Sequence, residues 1–160
     1  MSLDMLSQVV PLGPEPLKPL LKWAGGKSWL VPLLASLYAP HRNRRLVEPF
    51  AGGLSVALGL RPAQYLGNDT NKHLINFYRH VQGGALDNLN SLALPPNTEE
   101  AYYQARDEFN HASRRAIDMS ARSALLFWYL NAAGYNGLCR FNRDGRYNVP
   151  YGKRKRLRPV

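Results

Sequence analysis

Apolar residues fall in short runs separated by proline and glycine, and their spacing predicts alternating strands and helices. Leu46-Val47-Glu48 reads as a short buried strand that breaks at Pro49 into the turn Phe50-Ala51-Gly52-Gly53. A helix then opens with Leu54-Ser55-Val56-Ala57. Gln64-Tyr65-Leu66-Gly67 is a second strand-like run. From Asn71 to Gln82, Leu74, Ile75, Tyr78 and Val81 recur at helical spacing, closed by Gly83-Gly84. Upstream, Ser28 is placed to cap a helix with Pro32 in its first turn. Asn97 with Glu100 has capping-box spacing ahead of Tyr102-Tyr103. Ser123 to Leu130 reads as a largely buried helix. Asp144-Gly145 between two alternating runs predicts a β-hairpin that carries Arg140 outward.

The strand, glycine turn and helix around Gly52 bring bare backbone close to a ligand. The spacing is not the dinucleotide fingerprint, because only Gly52 and Gly53 are present. Asp69, at the tip of the second strand, holds the place of a ribose-binding acid in doubly wound sheets. A nucleoside ligand without a pyrophosphate fits this pattern, and a glycine turn that only packs fits the isolated stretch equally well. Trp23-Ala24-Gly25-Gly26-Lys27-Ser28 ends like a phosphate loop, but the glycine required at position 21 is Leu21. What remains is an exposed-prone Trp23 beside two glycines and a lysine, and core is the commoner fate of a lone Trp. His41, His73, His80 and His111 have no metal-ligand spacing, so no metal is expected.

At 160 residues and a formal charge of +10, the chain favours an anionic partner. The charge is uneven: residues 139–160 hold eight basic residues and one acid. Phe141, Tyr147 and Tyr151 interleave with that run, which points to nucleic acid beyond a merely solvated hairpin. There is a single cysteine, Cys139, and no apolar run of membrane-spanning length. The expected setting is the cytoplasm, on the nucleoid through DNA, with no membrane.

Several stretches together resemble the Dam-type (D12 class) DNA adenine-N6 methyltransferases. They are Lys22 to Lys27, Glu48 to Gly53, Asp69-Thr70-Asn71, Tyr102-Tyr103 with Arg106 and Phe109-Asn110, Asn131, Gly134 to Arg140, and Asn148 to Gly152. The resemblance implies S-adenosylmethionine as cofactor, held by Trp23, Lys27, Phe50, Gly52 and Asp69. It also implies double-stranded DNA as partner, met by Tyr135, Asn136, Leu138, Arg140 and Lys153, with a GATC-like target. Arg can grip guanine O6 and N7 together, and an aromatic can wedge between bases. Thr70 stands where an apolar residue is common, and Ala51 with Leu54 varies the turn; neither removes a role.

The fold implied is α/β: a partial Rossmann-like methyltransferase sheet with an inserted helical and β-hairpin DNA-recognition region. Residues 1–19 are expected to form a mobile leader and 20–82 the cofactor-binding part. Residues 83–155 are expected to form the target-recognition region, and 156–160 a truncated return to the catalytic domain. One departure is decisive. The family's catalytic tetrapeptide, Asp-Pro-Pro-Tyr or a close variant, is absent, since no aspartate here precedes a proline. No catalytic residue is therefore assigned, and the chain is expected to be an N-terminal portion, inactive alone: a fragment, a truncated gene product, or one half of a split enzyme completed by a C-terminal methyltransferase chain. The alternative is a non-catalytic DNA-binding module derived from such an enzyme. Cytosine C5 chemistry is disfavoured, because Cys139 follows Leu138 rather than a proline.

Overall fold

The computed structural model describes residues 16–84, 94–112 and 117–157. Most of the expected leader therefore lies outside the described residues. The chain divides into two compact units, Gly25–Asn68 with the segment ending at Pro19, and Leu20–Ala24 with Asp69 onward. The architecture is mixed α/β, with one small parallel sheet and five α-helices among the described residues.

In the first unit, strand β1 (Leu46–Glu48) pairs in parallel with β2 (Tyr65–Gly67), Val47 opposite Leu66. Parallel strands need a crossover between them, and helix α2 (Ser55–Leu60) provides it. Pro49 and the glycines end β1, and Leu54 enters the left-handed region at φ 58° to turn the chain into α2. Helix α1 (Val31–Tyr38) packs on α2. Gly59 permits the approach, because a Cβ there would lie 2.6 Å from Val31 Cγ2. Two expectations need correction. Ser28 does not cap α1: it opens a 3-10 turn, Ser28–Leu30, and α1 starts after it without a side-chain cap. Strand β1 is not buried either, since Val47 and Leu66 are each 52% exposed on one face of the sheet.

The second unit is built around α5 (Ala121–Ala133), whose residues 123–131 are all buried. Helices α3 (Lys72–Gln82) and α4 (Glu99–Ala112) pack against it. Phe77, Tyr102, Phe109 and Phe127 fill the joint, each worth roughly 1.5–3 kcal/mol of burial. Asn71 caps α3 by accepting from Leu74 N–H at 3.1 Å. Ser120 caps α5 in the same way, from Ser123 N–H. The cap of α4 is Thr98, one residue past the expected Asn97, because its hydroxyl accepts from Ala101 N–H. Asn97 is recruited elsewhere: it donates to Arg154 O at 2.7 Å and accepts from the Tyr151 hydroxyl. Glu100 closes no capping box and instead accepts from Gln104.

The expected hairpin forms in irregular shape. Asp144-Gly145 turns the chain, with Gly145 at φ +73°, and no regular strands flank it. Two isolated antiparallel bridges, Phe141 with Tyr147 and Gly134 with Tyr151, and the backbone bonds Asn142 N–H to Arg146 O and Asn148 N–H to Arg140 O pair its arms. Side-chain amides supplement this pairing. Asn110 Oδ1 accepts from Tyr147 N–H at 2.8 Å while its Nδ2 donates to Tyr147 O at 3.0 Å. Asn142 Oδ1 accepts from both Asp144 and Arg146 N–H.

Candidate functional site

The residues expected to grip a cofactor divide between the two units, and each set is described within its own. In the first unit the turn after β1 carries Phe50, 84% exposed, and Gly52 at φ +52°. The turn is braced by Ala51 N–H donating to Asn68 O, and Leu54 N–H to Ala51 O. Lys27 N–H donates to Ser55 Oγ at 2.8 Å, fixing the lysine segment to the start of α2. The Lys27 ammonium folds back onto Gly25 O at 2.7 Å. Glu48, at the carboxyl end of β1, is half-buried; burial pushes its carboxyl above the ordinary range, and the Tyr65 hydroxyl pulls it partly back. A strand's carboxyl end followed by a turn and a helix is where open α/β sheets hold ligands.

In the second unit Asp69 accepts from Asn71 N–H at 2.9 Å, which sets the carboxylate in a tight turn ahead of α3. Trp23 is half-buried against the aromatic core, so packing takes part of its ring. Its neighbour Lys22 is held through both backbone groups by the buried Asn131.

The residues expected to meet DNA lie along one segment after α5. Tyr135 is 53% and Leu138 37% exposed, and Asn136, Arg140 and Lys153 are exposed as well. Asn136 and Lys153 both sit at φ 52°, in the left-handed region that Asn tolerates and Lys rarely adopts. Arg140 is oriented by a neighbour. Its Nε donates to Asn148 Oδ1 at 2.8 Å and its Nη2 to Asn148 O at 3.2 Å. The end-on edge, Nη1 with the second Nη2 proton, remains for a bidentate acceptor. Val149 O, next in the chain, accepts from the Tyr102 hydroxyl at 2.9 Å and from Arg106, whose guanidinium lies over the Tyr103 ring. Tyr147 donates its hydroxyl to Leu138 O at 2.8 Å, tying the two halves of the segment.

Cys139 is unsuited to nucleophilic work, because burial pushes its thiol up to about 12. Among the described residues no cluster of histidine, cysteine and carboxylates has metal-site geometry. No helix there is long and apolar enough to cross a membrane. Asn110, Asn131 and Asn148 entered the sequence reading as parts of the resembling stretches and Tyr147 as an aromatic of the basic run, without the supporting roles seen here. Their signal was an amide or hydroxyl set among apolar neighbours, which a fold must satisfy.

Comparison with known proteins places this geometry in context. A family model described as D12 class N6 adenine-specific DNA methyltransferase matches residues 23–158. The chain is 42% identical over 142 residues to the DNA adenine methylase of Escherichia coli strain K12, covering 85% of this chain and 48% of that protein. It is 39% identical over 139 residues to the Retron Ec67 DNA adenine methylase of Escherichia coli, covering 85% and 47%. Against the DNA adenine methylase of Vibrio cholerae it is 40% identical over 140 residues, covering 85% and 48%. The chain spans about half the length of the curated relatives it matches.

Proposed function

Since the chain belongs to the D12 class N6 adenine-specific DNA methyltransferases, we propose that it serves methylation of adenine N6 at a GATC-like site in duplex DNA. S-adenosylmethionine is the methyl donor in this reading. The chain contributes the cofactor grip and the DNA reading, and the family's catalytic tetrapeptide is not among these 160 residues. The sheet is then the start of a Rossmann-like domain, and residues 83–155 are the recognition region inserted in it. A cytoplasmic setting follows from work on DNA.

The residues fit the cofactor's chemistry. Phe50 offers an exposed aromatic face for an adenine ring, and Asp69 offers a carboxylate to ribose hydroxyls. Trp23, Lys27 and Gly52 are the further residues that the resemblance assigns to the cofactor. Bound there, S-adenosylmethionine supplies an electrophilic methyl on its sulfonium. The adenine amine is a poor nucleophile, its lone pair being delocalised into the ring. Reaction therefore depends on flipping the base out and placing its nitrogen against that carbon. Tyr135 and Leu138 suit the wedge that unstacks the duplex, and Arg140 the guanine contact. Asn136 and Lys153 suit backbone contacts, with the basic residues after Lys153 adding salt-sensitive affinity.

The observation that carries the proposal is Arg140 held at its base by Asn148 on an exposed segment, with its outward edge available. The test is the purified chain with a GATC duplex and labelled S-adenosylmethionine. No methyl reaches DNA, because no residue here accepts the amine's protons. The cofactor binds by calorimetry, and Asp69→Ala weakens it by about 1.5–3 kcal/mol. Label on DNA refutes the division of labour. Duplex binding with no cofactor binding leaves a non-catalytic DNA-binding module.

A further inference from the structure

Asn131 is 2% exposed on a helix whose buried length is apolar but for Ser123 and the Tyr129 hydroxyl. A buried amide is costly unless its donors and acceptor are met. Here Oδ1 accepts from Lys22 N–H, and Nδ2 donates to Lys22 O and to Gly137 O, all at 2.9 Å. The amide thus pairs with one residue as a strand would, and with its last proton seizes the turn Tyr135–Leu138. Lys22 and Gly137 also touch directly. Gly137 sits at φ +64°, and a Cβ there would lie 2.7 Å from Lys22 Cβ. One bracket therefore joins the segment bearing Trp23 to the turn bearing Tyr135, Asn136 and Leu138. A second link lies nearby, where Asn71, beside Asp69, meets the Cys139 sulfur at 3.9 Å.

We infer that Asn131 is a positioning residue that couples the two: it fixes the base-reading turn against the cofactor-side segment, so that ordering one orders the other. The functional half of this inference rests on the roles proposed above for Trp23 and for Tyr135 to Arg140. The mechanical half does not. The turn has its own bonds, Gly137 N–H to Gly134 O and Leu138 N–H to Tyr135 O, and is tied at its ends by Tyr135 N–H to Pro150 O and by the Tyr147 hydroxyl on Leu138 O. Among the described residues this leaves its middle, at Gly137, without an anchor to the cofactor-side segment except through Asn131 and the Lys22 stem. The amide adds a restraint from the most buried helix of the unit. A ligand that stiffens the Trp23 segment then removes part of the entropy a duplex must take from the turn.

The test compares wild type with Asn131→Asp, which keeps the acceptor for Lys22 N–H but has no proton for Lys22 O or Gly137 O. Amide exchange by NMR on the 160-residue chain is the first readout. Exchange at Gly137 and Leu138 accelerates by about tenfold or more, the loss of one net hydrogen bond. Exchange in α5 from Leu125 to Tyr129 is unchanged. The second readout is duplex preference. The ratio of dissociation constants for scrambled over GATC duplex falls by about tenfold, while binding of the scrambled duplex stays within about twofold. S-adenosylmethionine slows turn exchange in wild type and no longer does so in the variant. Unchanged exchange at Gly137 and Leu138 with α5 intact overturns the inference. Wild type with no duplex preference instead defeats the base-reading role, and the exchange data still decide on Asn131. If Asn131→Asp does not fold, Gly137→Ala probes the bracket from the turn, by displacing the Lys22 stem. Faster exchange at Lys22 supports the coupling, and unchanged exchange there overturns it.

Discussion

Asn110 gives the sharpest measure of how a segment without strands is held. Its amide makes both backbone hydrogen bonds of Tyr147, at 2.8 and 3.0 Å, and Tyr147 is 1% exposed. Asn110→Leu leaves a buried N–H and a buried carbonyl without partners. Each costs about 1–3 kcal/mol when water cannot replace the bond. Asn110 itself is half-buried, so water enters from one side and the lower half of that range applies. The apolar gain of leucine at a half-buried position returns less than about 1 kcal/mol. The expected loss is about 1–4 kcal/mol, a drop in Tm of roughly 2–16 °C for a chain of this size. Asn110→Asp keeps the acceptor for Tyr147 N–H and should lose about 1–2 kcal/mol, near half as much. Urea unfolding followed by circular dichroism measures both. A loss below about 1 kcal/mol for Asn110→Leu refutes the clamp. So does an Asn110→Asp loss equal to that of leucine, because the two bonds would then not be separable.

Two further outcomes follow from the same geometry. Arg140→Ala should flatten the preference between GATC and scrambled duplexes by roughly 1–3 kcal/mol. Neutralising Lys155 and Arg156 should weaken both duplexes alike and lower the salt slope; titrations at several salt concentrations separate these, and equal weakening by Arg140→Ala would reduce it to a phosphate contact. His73 is buried against Phe109 and Phe141, and burial holds its imidazole below the ordinary value despite the pull of Asp118. The unfolded chain therefore takes up the proton first as pH falls. Stability is complete above about pH 6.5 and declines below it until the folded imidazole also titrates. Unfolding at pH 7.5 and 5.5 should show this loss in wild type and a smaller one in His73→Leu; equal losses would clear His73.

Elements punctuated by proline and glycine were legible almost to the residue. Pro49 and Gly52 bound β1, and Gly83 closes α3 where the glycine pair predicted it. Caps were less legible, because a capping residue can be drawn off by distant partners. Asn97 had the right spacing, yet Arg154 and Tyr151 claim it, so Thr98 takes the cap. Strand burial was misread because alternation over three residues leaves one face undetermined, and Val47 and Leu66 share the open one. Of the candidate site, the exposed residues were visible from their motifs. Their supports were not, since Asn131 and Lys22 are 109 positions apart and no local spacing joins them.

The missing hairpin strands have a consequence for what the segment can present. A strand sends successive side chains to opposite faces, so a regular hairpin would bury every second residue from Tyr135 onward. Here Tyr135 and Asn136 are both exposed, Gly137 is buried, and Leu138 and Arg140 are exposed again. The break in alternation falls at Asn136, whose φ of 52° reverses the chain. Such a path keeps only part of an antiparallel ladder, Tyr135 N–H to Pro150 O, Asn148 N–H to Arg140 O and Asn142 N–H to Arg146 O, and its remaining polar groups must find other partners. Asn131 takes Gly137 O, Tyr147 takes Leu138 O, and Asn110 takes the backbone of Tyr147. Asparagine suits the task because its amide reproduces the peptide group and its short chain loses little rotamer freedom. Helices α4 and α5 thus supplement the backbone pairing, and Tyr135 gains an exposure beside Asn136, Leu138 and Arg140 that strict alternation would deny it. Restoring strand alternation, by forcing Asn136 into the extended region with a β-branched residue, should then turn Tyr135 or Leu138 inward and lose duplex preference without loss of charge.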